Sequence, residues 1–431
     1  MNQQIFSRRS FLKLAGGTIL TLASGCAFTA APVLKPVQKA ARALTGDTSL
    51  EADYIRQLIT ADSRTSRTIM WQSNEEQKGA EVAWRLSGSE TAAAVPAAGE
   101  AFTDDGVSVW LHTAGITGLE PGQHYEYRIL CGEAGTAWYP LATDDGGAFK
   151  LLVFPDSQSN DYSGWKQLAQ DAARRNPDAA LFVNMGDLVD NGEDHTQWNA
   201  WFDAVGGIID RIPLAPIMGN HETYDQKWKV RLPEAYLHEF AVPANGSGTF
   251  DRYYYSFDYG EVHFSVLNTQ WDETEEFKAG LLDAQLDWLP GDIRASRKKW
   301  HIVLMHKDVL TYGIHSRPER VPGISEEGRA FMPLFDELGV DLVFSAHLHT
   351  YRNRGRLYHF ARSQRGPLYI LTGVAGNVRY PGLWIDHELD QTIAPQPETD
   401  NYLTLEASAD SLRIQCFLPD GTRIDDASIT K

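Results

Sequence analysis

The chain has 431 residues, 39 of them basic and 57 acidic, for a formal net charge of −18 at pH 7; 43% of the residues are hydrophobic and 22% charged. That balance is globular, and at roughly 150 residues per domain the length allows two or three domains with ample core. The acidity excludes a bulk nucleic-acid or anionic-lipid binder, because such a chain repels polyphosphate at long range, and three cysteines are too few for a disulfide scaffold or a thiolate zinc module.

The N-terminus reads as an address. Ser7-Arg8-Arg9-Ser10-Phe11-Leu12-Lys13, followed by a mildly apolar stretch from Leu14 to Leu22, resembles the twin-arginine export signal of bacteria and is too short for a permanent membrane anchor. Leu22-Ala23-Ser24-Gly25-Cys26 resembles a lipoprotein cleavage box. Lipidation of Cys26 would tether the product to a membrane; ordinary cleavage near Ala30 is the alternative. Residues 1–30 hold Arg8, Arg9 and Lys13 and no acidic group, so their removal takes the charge from −18 to −21. The expected location is periplasmic, cell-surface or secreted.

Residues 31–50 have no repeating apolar face and read as a linker. From 51 to 145 the pattern is short strands rich in aromatic and β-branched residues, Thr68–Trp71, Glu81–Leu86, Val107–Leu111 and Tyr125–Leu130, separated by polar turns. Leu119-Glu120-Pro121-Gly122-Gln123-His124-Tyr125 resembles the tyrosine corner of fibronectin type III domains, in which a Tyr hydroxyl bonds back to the backbone. The segment offers no catalytic constellation, so its expected role is to shape one edge of the next domain, with carbohydrate or wall binding as the alternative.

Residues 146–395 read as a catalytic domain, because apolar runs alternate there with amphipathic stretches (Trp165–Arg175, Leu281–Arg294, Gly328–Leu338) as an α/β layered fold requires. Residues 396–431 return to strands, Tyr402–Ala407 and Ser411–Phe417, with a turn at 419–422, that should pack on the catalytic domain.

Five apolar runs each end in Asp, Asn or His. Phe149–Phe154 precedes Asp156-Ser157-Gln158, Ala180–Met185 precedes Gly186-Asp187, and Pro213–Met218 precedes Gly219-Asn220-His221-Glu222. Trp300–Met305 precedes His306, and Val340–Ser345 precedes Ala346-His347-Leu348-His349. In open α/β sheets the ligand site lies just outside the carboxyl ends of the strands, so these side chains should converge. Two carboxylates, an amide oxygen and three imidazoles suit two divalent cations sharing a bridging carboxylate, and two such cations leave the pocket positive on an otherwise acidic protein. Capping accounts for one Asp at a strand end; it does not account for Asn220, His306, His347 and His349 together.

The ordered set Asp156-x-Gln158, Gly186-Asp187, Gly219-Asn220-His221-Glu222, His306 and Ala346-His347-x-His349 resembles the calcineurin-like metallophosphoesterase superfamily, within it the purple acid phosphatase branch. The resemblance implies a four-layer α/β/β/α sandwich behind an all-β fibronectin III-like sandwich. It implies an exported phosphoesterase that hydrolyses phosphomonoesters by attack of metal-activated water, with a small phosphate ester as substrate. Asp156, Asp187 and His349 would hold the first cation; Asp187 would bridge; Asn220, His306 and His347 would hold the second. His221 would meet the leaving-group oxygen or the phosphoryl group, and His315 would face substrate.

The sequence departs from the pattern in two places. Asp190 stands where the purple branch has its ligand Tyr, so ferric iron with Tyr ligation is not expected and the pair should be divalent (Zn, Mn or Fe), the alternative being a mixed site in which Asp190 substitutes. Gln158 stands where the wider superfamily has His; its amide oxygen is a poorer ligand. The alternatives are a phosphodiesterase or nucleotide pyrophosphatase on the same site, and a non-catalytic metal-containing surface binding protein. The histidines at 112, 124, 195, 238, 263, 301 and 359 read as surface or packing residues, the aromatics from Tyr253 to Tyr259 as strand core, and Cys131 and Cys416 as able to pair only if their Cα atoms lie within ~7 Å.

Overall fold

In a computed structural model, residues 50–431 are described. The twin-arginine stretch, Cys26 and residues 31–49 of the linker lie outside the described residues. Among the described residues no helix is long and apolar enough to cross a membrane.

Two mixed sheets organise the molecule. The larger has ten strands, in spatial order Arg423–Thr430, Ser411–Phe417, Tyr402–Ala407, Phe149–Phe154, Ala179–Asn184, Leu214–Pro216, Asp53–Leu58, Arg67–Ser73, Val107–Ile116 and Ala98–Asp104. The smaller has eight, running from Tyr255–Tyr259 through Val262–Leu267, Trp300–Met305, Leu342–Ser345 and Leu368–Thr372 to Tyr351–Tyr358 and two short edge pieces. Helices Ser163–Arg175 and His195–Val205 touch the first sheet, and Leu281–Ala295 touches the second and packs on Glu326–Leu338. Phe149 of the larger sheet meets Phe264 of the smaller at 6.4 Å between ring centroids, and Tyr255 donates its hydroxyl to Pro216 O at 2.8 Å, so the core lies between the sheets.

The runs expected to be strands form because they alternate or saturate with β-branched and aromatic side chains that the sheets bury. Leu151 to Phe154 and Leu181 to Val183 are all at most 1% exposed, as strands covered on both faces must be. The expected helices appear within two residues of their expected starts, because each carries an apolar stripe at helical spacing: Trp165, Leu168, Ala169 and Ala172 are buried in the first. The run before Asn220 is a correction: only Leu214–Pro216 of it is strand, since Pro213 and Pro216 have no N–H for a longer ladder.

The N-terminal region is joined to the catalytic domain through the larger sheet: Asp53–Leu58 runs parallel to Leu214–Pro216, with Leu58 opposite Leu214, and carries its own neighbours into that sheet. Gln57 Nε2 donates to Pro140 O and Asp210 O, Tyr127 donates its hydroxyl to Asp210 O, and Arg56 pairs with Glu239 at 2.7 Å with both side chains buried. The second N-terminal sheet, built on Glu81–Leu86 and His124–Cys131, closes over an apolar core of Ile69, Trp71, Val82, Ile116, Tyr127 and Ile129. The expected tyrosine corner is present: the backbone N–H of Glu120 donates to the Tyr125 hydroxyl at 2.9 Å. At the other end, Tyr402–Ala407 pairs antiparallel with Phe149–Phe154, so the C-terminal strands extend the catalytic sheet. Cys131 and Cys416 are both free thiols.

Candidate metal centre

The five strand ends converge. Asp156, Asp187 and His349 place one ligand atom each within 4.8 Å of one another, and so do Asp187, His306 and His347; Asp187 belongs to both groups. His306 Nε2 lies 3.1 Å from Asp187 Oδ2 and 3.3 Å from Asn220 Oδ1, and His349 Nε2 lies 3.2 Å from Asp156 Oδ2. All but His221 and His347 are buried, at 6% exposure or less.

The local backbone is bent to achieve this. Asp187, His347 and His349 have φ of 48°, 76° and 52°, left-handed values that a non-glycine residue adopts at a cost of ~1 kcal/mol or more. Two glycines are obligatory for steric reasons: a Cβ on Gly219 would stand 2.2 Å from Asp187 Oδ1, and one on Gly186 would stand 2.5 Å from His306 Nδ1. Glu222, whose role the sequence reading missed, holds the bend. Its two carboxylate oxygens accept backbone N–H groups of Asp187, Leu188, Val189 and Gly219. Burial and then Asp187 push its carboxyl up, to about 8. Four N–H donors and no acceptor around both oxygens favour the ionised form against that push.

The ring nitrogens decide whether cations fit. His306 Nδ1 donates to Met185 O at 2.9 Å and His349 Nδ1 donates to Val378 O at 2.7 Å. Each neutral imidazole therefore turns the lone pair of Nε2 toward a carboxylate oxygen, and two acceptors at that distance need a cation between them. With only protons available, burial opposes charge on His306, yet Asp187 raises it to about 9; burial likewise opposes charge on His349, and Asp156 raises it. Burial pushes Asp187 up, and His306 and His221 more than reverse that, holding it well below the usual carboxylate range. The Gln158 side chain is 1% exposed and neither of its amide atoms has a hydrogen-bond partner, an orphan that a further ligand would satisfy. The residues present fit a metal pair.

Three other expected residues are placed as follows. His221 donates its backbone N–H to Asp187 Oδ1 at 2.8 Å and its Nδ1–H to Asp190 O at 2.7 Å, which leaves Nε2 4.0 Å from Asp187 Oδ2. Asp190 is therefore beside the cluster, with its carboxyl raised first by burial. His315 is exposed, with its backbone N–H on Leu383 O. The sequence reading also missed Tyr380, whose ring lies 4.9 Å from that of His349 and whose hydroxyl is pushed up to about 12, first by burial and then by the Asp187, Asp156 and Asp190 carboxylates. The aromatics Tyr253 to Tyr259 are core, at 5% exposure or less for each Tyr, with Tyr255–Tyr259 in a strand and Tyr253 and Tyr254 in the turn before it.

Residues 149–351 match the family model of the calcineurin-like phosphoesterases, and residues 53–143 match that of the purple acid phosphatase N-terminal domain. The chain thus joins a calcineurin-like phosphoesterase domain to a purple acid phosphatase N-terminal domain. It is 27% identical over 308 residues, 62% of its length, to purple acid phosphatase 23 of Arabidopsis thaliana, and 25% identical over 305 residues to acid phosphatase type 7 of Mus musculus, covering 64% of this chain and 67% of the mouse protein. It spans less than two thirds of the length of the Arabidopsis relatives, 63% of the first and 57% of purple acid phosphatase 15. Its fold is shared with the purple acid phosphatase PPD1 from yellow lupin (Lupinus luteus) seeds, at a TM-score of 0.73 and 16% identity over 88% of this chain and 74% of that one.

Proposed function

We propose that the protein is an exported, metal-dependent phosphomonoesterase of acid-phosphatase type with a dinuclear centre. The observation that carries this reading is Asp187, which lies in both groups of three donors at the ends of the strands, with His221 directly beside it. When bound, two cations supply charge for the phosphoryl oxygens and acidify a water for in-line attack. Asp156 and His349, with Gln158, serve one position; Asn220, His306 and His347 serve the other. The Nδ1–H bond to Asp190 O orients His221 and leaves Nε2 as the ring atom for the leaving group, to which it hands a proton when the ring carries a second one. The relatives' printed activities and the paired family matches support the same reaction class.

Asp190 in the position of the purple branch's Tyr supports a colourless, divalent pair. The two sheets with outer helices support a four-layer arrangement, and the Tyr125 corner supports a fibronectin III-like N-terminal domain. The Arg8-Arg9 segment supports twin-arginine export, with lipidation at Cys26 or ordinary cleavage near Ala30.

The test is hydrolysis of 4-nitrophenyl phosphate against bis(4-nitrophenyl) phosphate by the metal-loaded protein, with and without chelator. Dominant monoester turnover that chelation abolishes is expected. Dominant diester turnover would replace the reading by a phosphodiesterase, and no turnover with both metals bound would replace it by a binding protein. A violet absorption band with stoichiometric ferric iron would refute the colourless pair.

A further inference from the structure

Directly after Glu222 the chain makes a tight hairpin that none of the metal chemistry uses. Tyr224 bridges to Val230, Asp225 N–H donates to Lys229 O, and Trp228 N–H donates to Asp225 O. The Asp225 carboxylate accepts the N–H groups of Lys227 and Lys229, so the turn is tied from inside. Its base is tied too: Arg231 N–H donates to Thr223 O, and the Arg231 guanidinium grips both oxygens of Asp104 from the N-terminal region.

At the tip stands Trp228. Its backbone has φ of 60°, where an L side chain is disfavoured and Gly or Asn is the usual occupant, yet the residue is the bulkiest of all. It is 48% exposed, among the few large apolar side chains left open to solvent. Its ring meets the His221 imidazole edge-on, 5.7 Å between centroids at 87°, and Tyr224 closes the same corner at 5.6 Å from His221 and 6.0 Å from Trp228. Lys227 and Lys229 flank it, both exposed, on a chain whose net charge is −18. Solvent would not select a half-exposed indole held in an unfavourable conformation against the proton-donating histidine; a flat apolar ligand would.

We propose that Trp228 is the stacking wall of the leaving-group subsite and that the preferred substrates are phosphomonoesters whose leaving group carries a planar aromatic ring. This rests on the phosphomonoesterase reading above. Trp228 takes no part in bond making; it positions the ring so that the ester oxygen lies toward His221 Nε2. The turn's internal hydrogen bonds fix the indole before substrate arrives, so little ordering is left to binding.

Adenosine 5′-monophosphate and ribose 5-phosphate test this, because their reacting phosphate and leaving oxygen are the same type and only the former carries a ring. In wild type, kcat/KM should favour the nucleotide ~10-fold or more, the magnitude of one base–aromatic stack. Trp228→Ala should erase that preference through KM while leaving kcat/KM for ribose 5-phosphate within about twofold, and Trp228→Phe should restore most of it. Trp228→Gly, which relaxes the backbone, should behave as Trp228→Ala does. An equal fall for both substrates, or no fall for either, would overturn the proposal while leaving the phosphomonoesterase reading intact. Failure of wild type to turn over either ester would instead overturn that reading and this inference with it.

Discussion

Two histidine–carboxylate clusters lie at opposite ends of the strands of the eight-stranded sheet, and the metal cluster draws its carboxylates from the strand ends of the ten-stranded sheet. Val262–Leu267 and Trp300–Met305 run parallel with His263 opposite His301 and Leu267 opposite Met305, so His263 lies at the amino ends and His306 just past the carboxyl ends. His263 directs Nδ1 at Asp258 Oδ1, 2.7 Å away, and Nε2 at Asp292 Oδ2, 3.0 Å away. Both nitrogens must donate, so the ring holds two protons and is a closed ion cluster with no lone pair to offer. His306 and His349 instead spend Nδ1–H on backbone carbonyls and turn Nε2 on a carboxylate. The difference teaches that a buried His beside Asp is not in itself a metal site. What makes one is a backbone acceptor for Nδ1, a position beyond the carboxyl end of a strand, and a second donor group sharing the same carboxylate.

The contrast can be broken by mutation. Asp187→Asn removes the charge of the carboxylate common to both groups of three, so phosphomonoester turnover should fall by ~10³-fold or more, since metal-supplied charge stabilisation is worth several kcal/mol; retention of a tenth of wild-type kcat would contradict the shared-donor account. His221→Ala should lower kcat ~10²-fold or more with metal content unchanged, the size of a lost general acid. Loss of metal in that variant would give His221 a ligand's role instead. Gln158→Ala touches one half alone: it should weaken the cation held by Asp156 and His349 ~10-fold in a chelator competition and leave the other in place. Equal weakening of both would deny Gln158 its place beside Asp156.

The closed cluster predicts a pH effect of its own. Burial opposes charge on His263, but hydrogen bonds to Asp258 and Asp292 raise it to about 9, above the ordinary value near 6.5. The ion cluster's contribution is therefore complete below about pH 6.5 and is lost as pH rises through about 9. Between pH 6.5 and 9.5 wild type should lose ~2 kcal/mol of unfolding free energy from this source, and denaturant unfolding of His263→Gln should be correspondingly flatter over that window. Identical slopes would mean that the two carboxylates do not hold a proton on His263.

Much of the metal centre was legible because it is local: each donor follows an apolar run by one to four residues, and the residue types have no common structural use there. Asp156, Asp187, Asn220, His306, His347 and His349 come together as expected. His315, nine residues beyond His306, lies on an exposed loop. Glu222 and Trp228 were missed for opposite reasons. Glu222 acts through four backbone N–H groups, which leave no mark on side-chain pattern, and Trp228 takes a left-handed backbone that its residue type argues against. The joining of the N-terminal strands to the catalytic sheet depends on Leu58 meeting Leu214, a pairing no local signal encodes. The helix His195–Val205 was overlooked although its buried Trp198, Trp201, Phe202 and Val205 keep helical spacing, because aromatic residues favour strands and blur the pattern.

Elemental analysis of the purified wild type beside Asp187→Asn and His263→Gln addresses the shared carboxylate most directly. Two divalent ions per chain are expected in wild type and in His263→Gln, and fewer than one in Asp187→Asn. Two ions retained by Asp187→Asn, or ions lost from His263→Gln, would contradict the assignment of the two clusters.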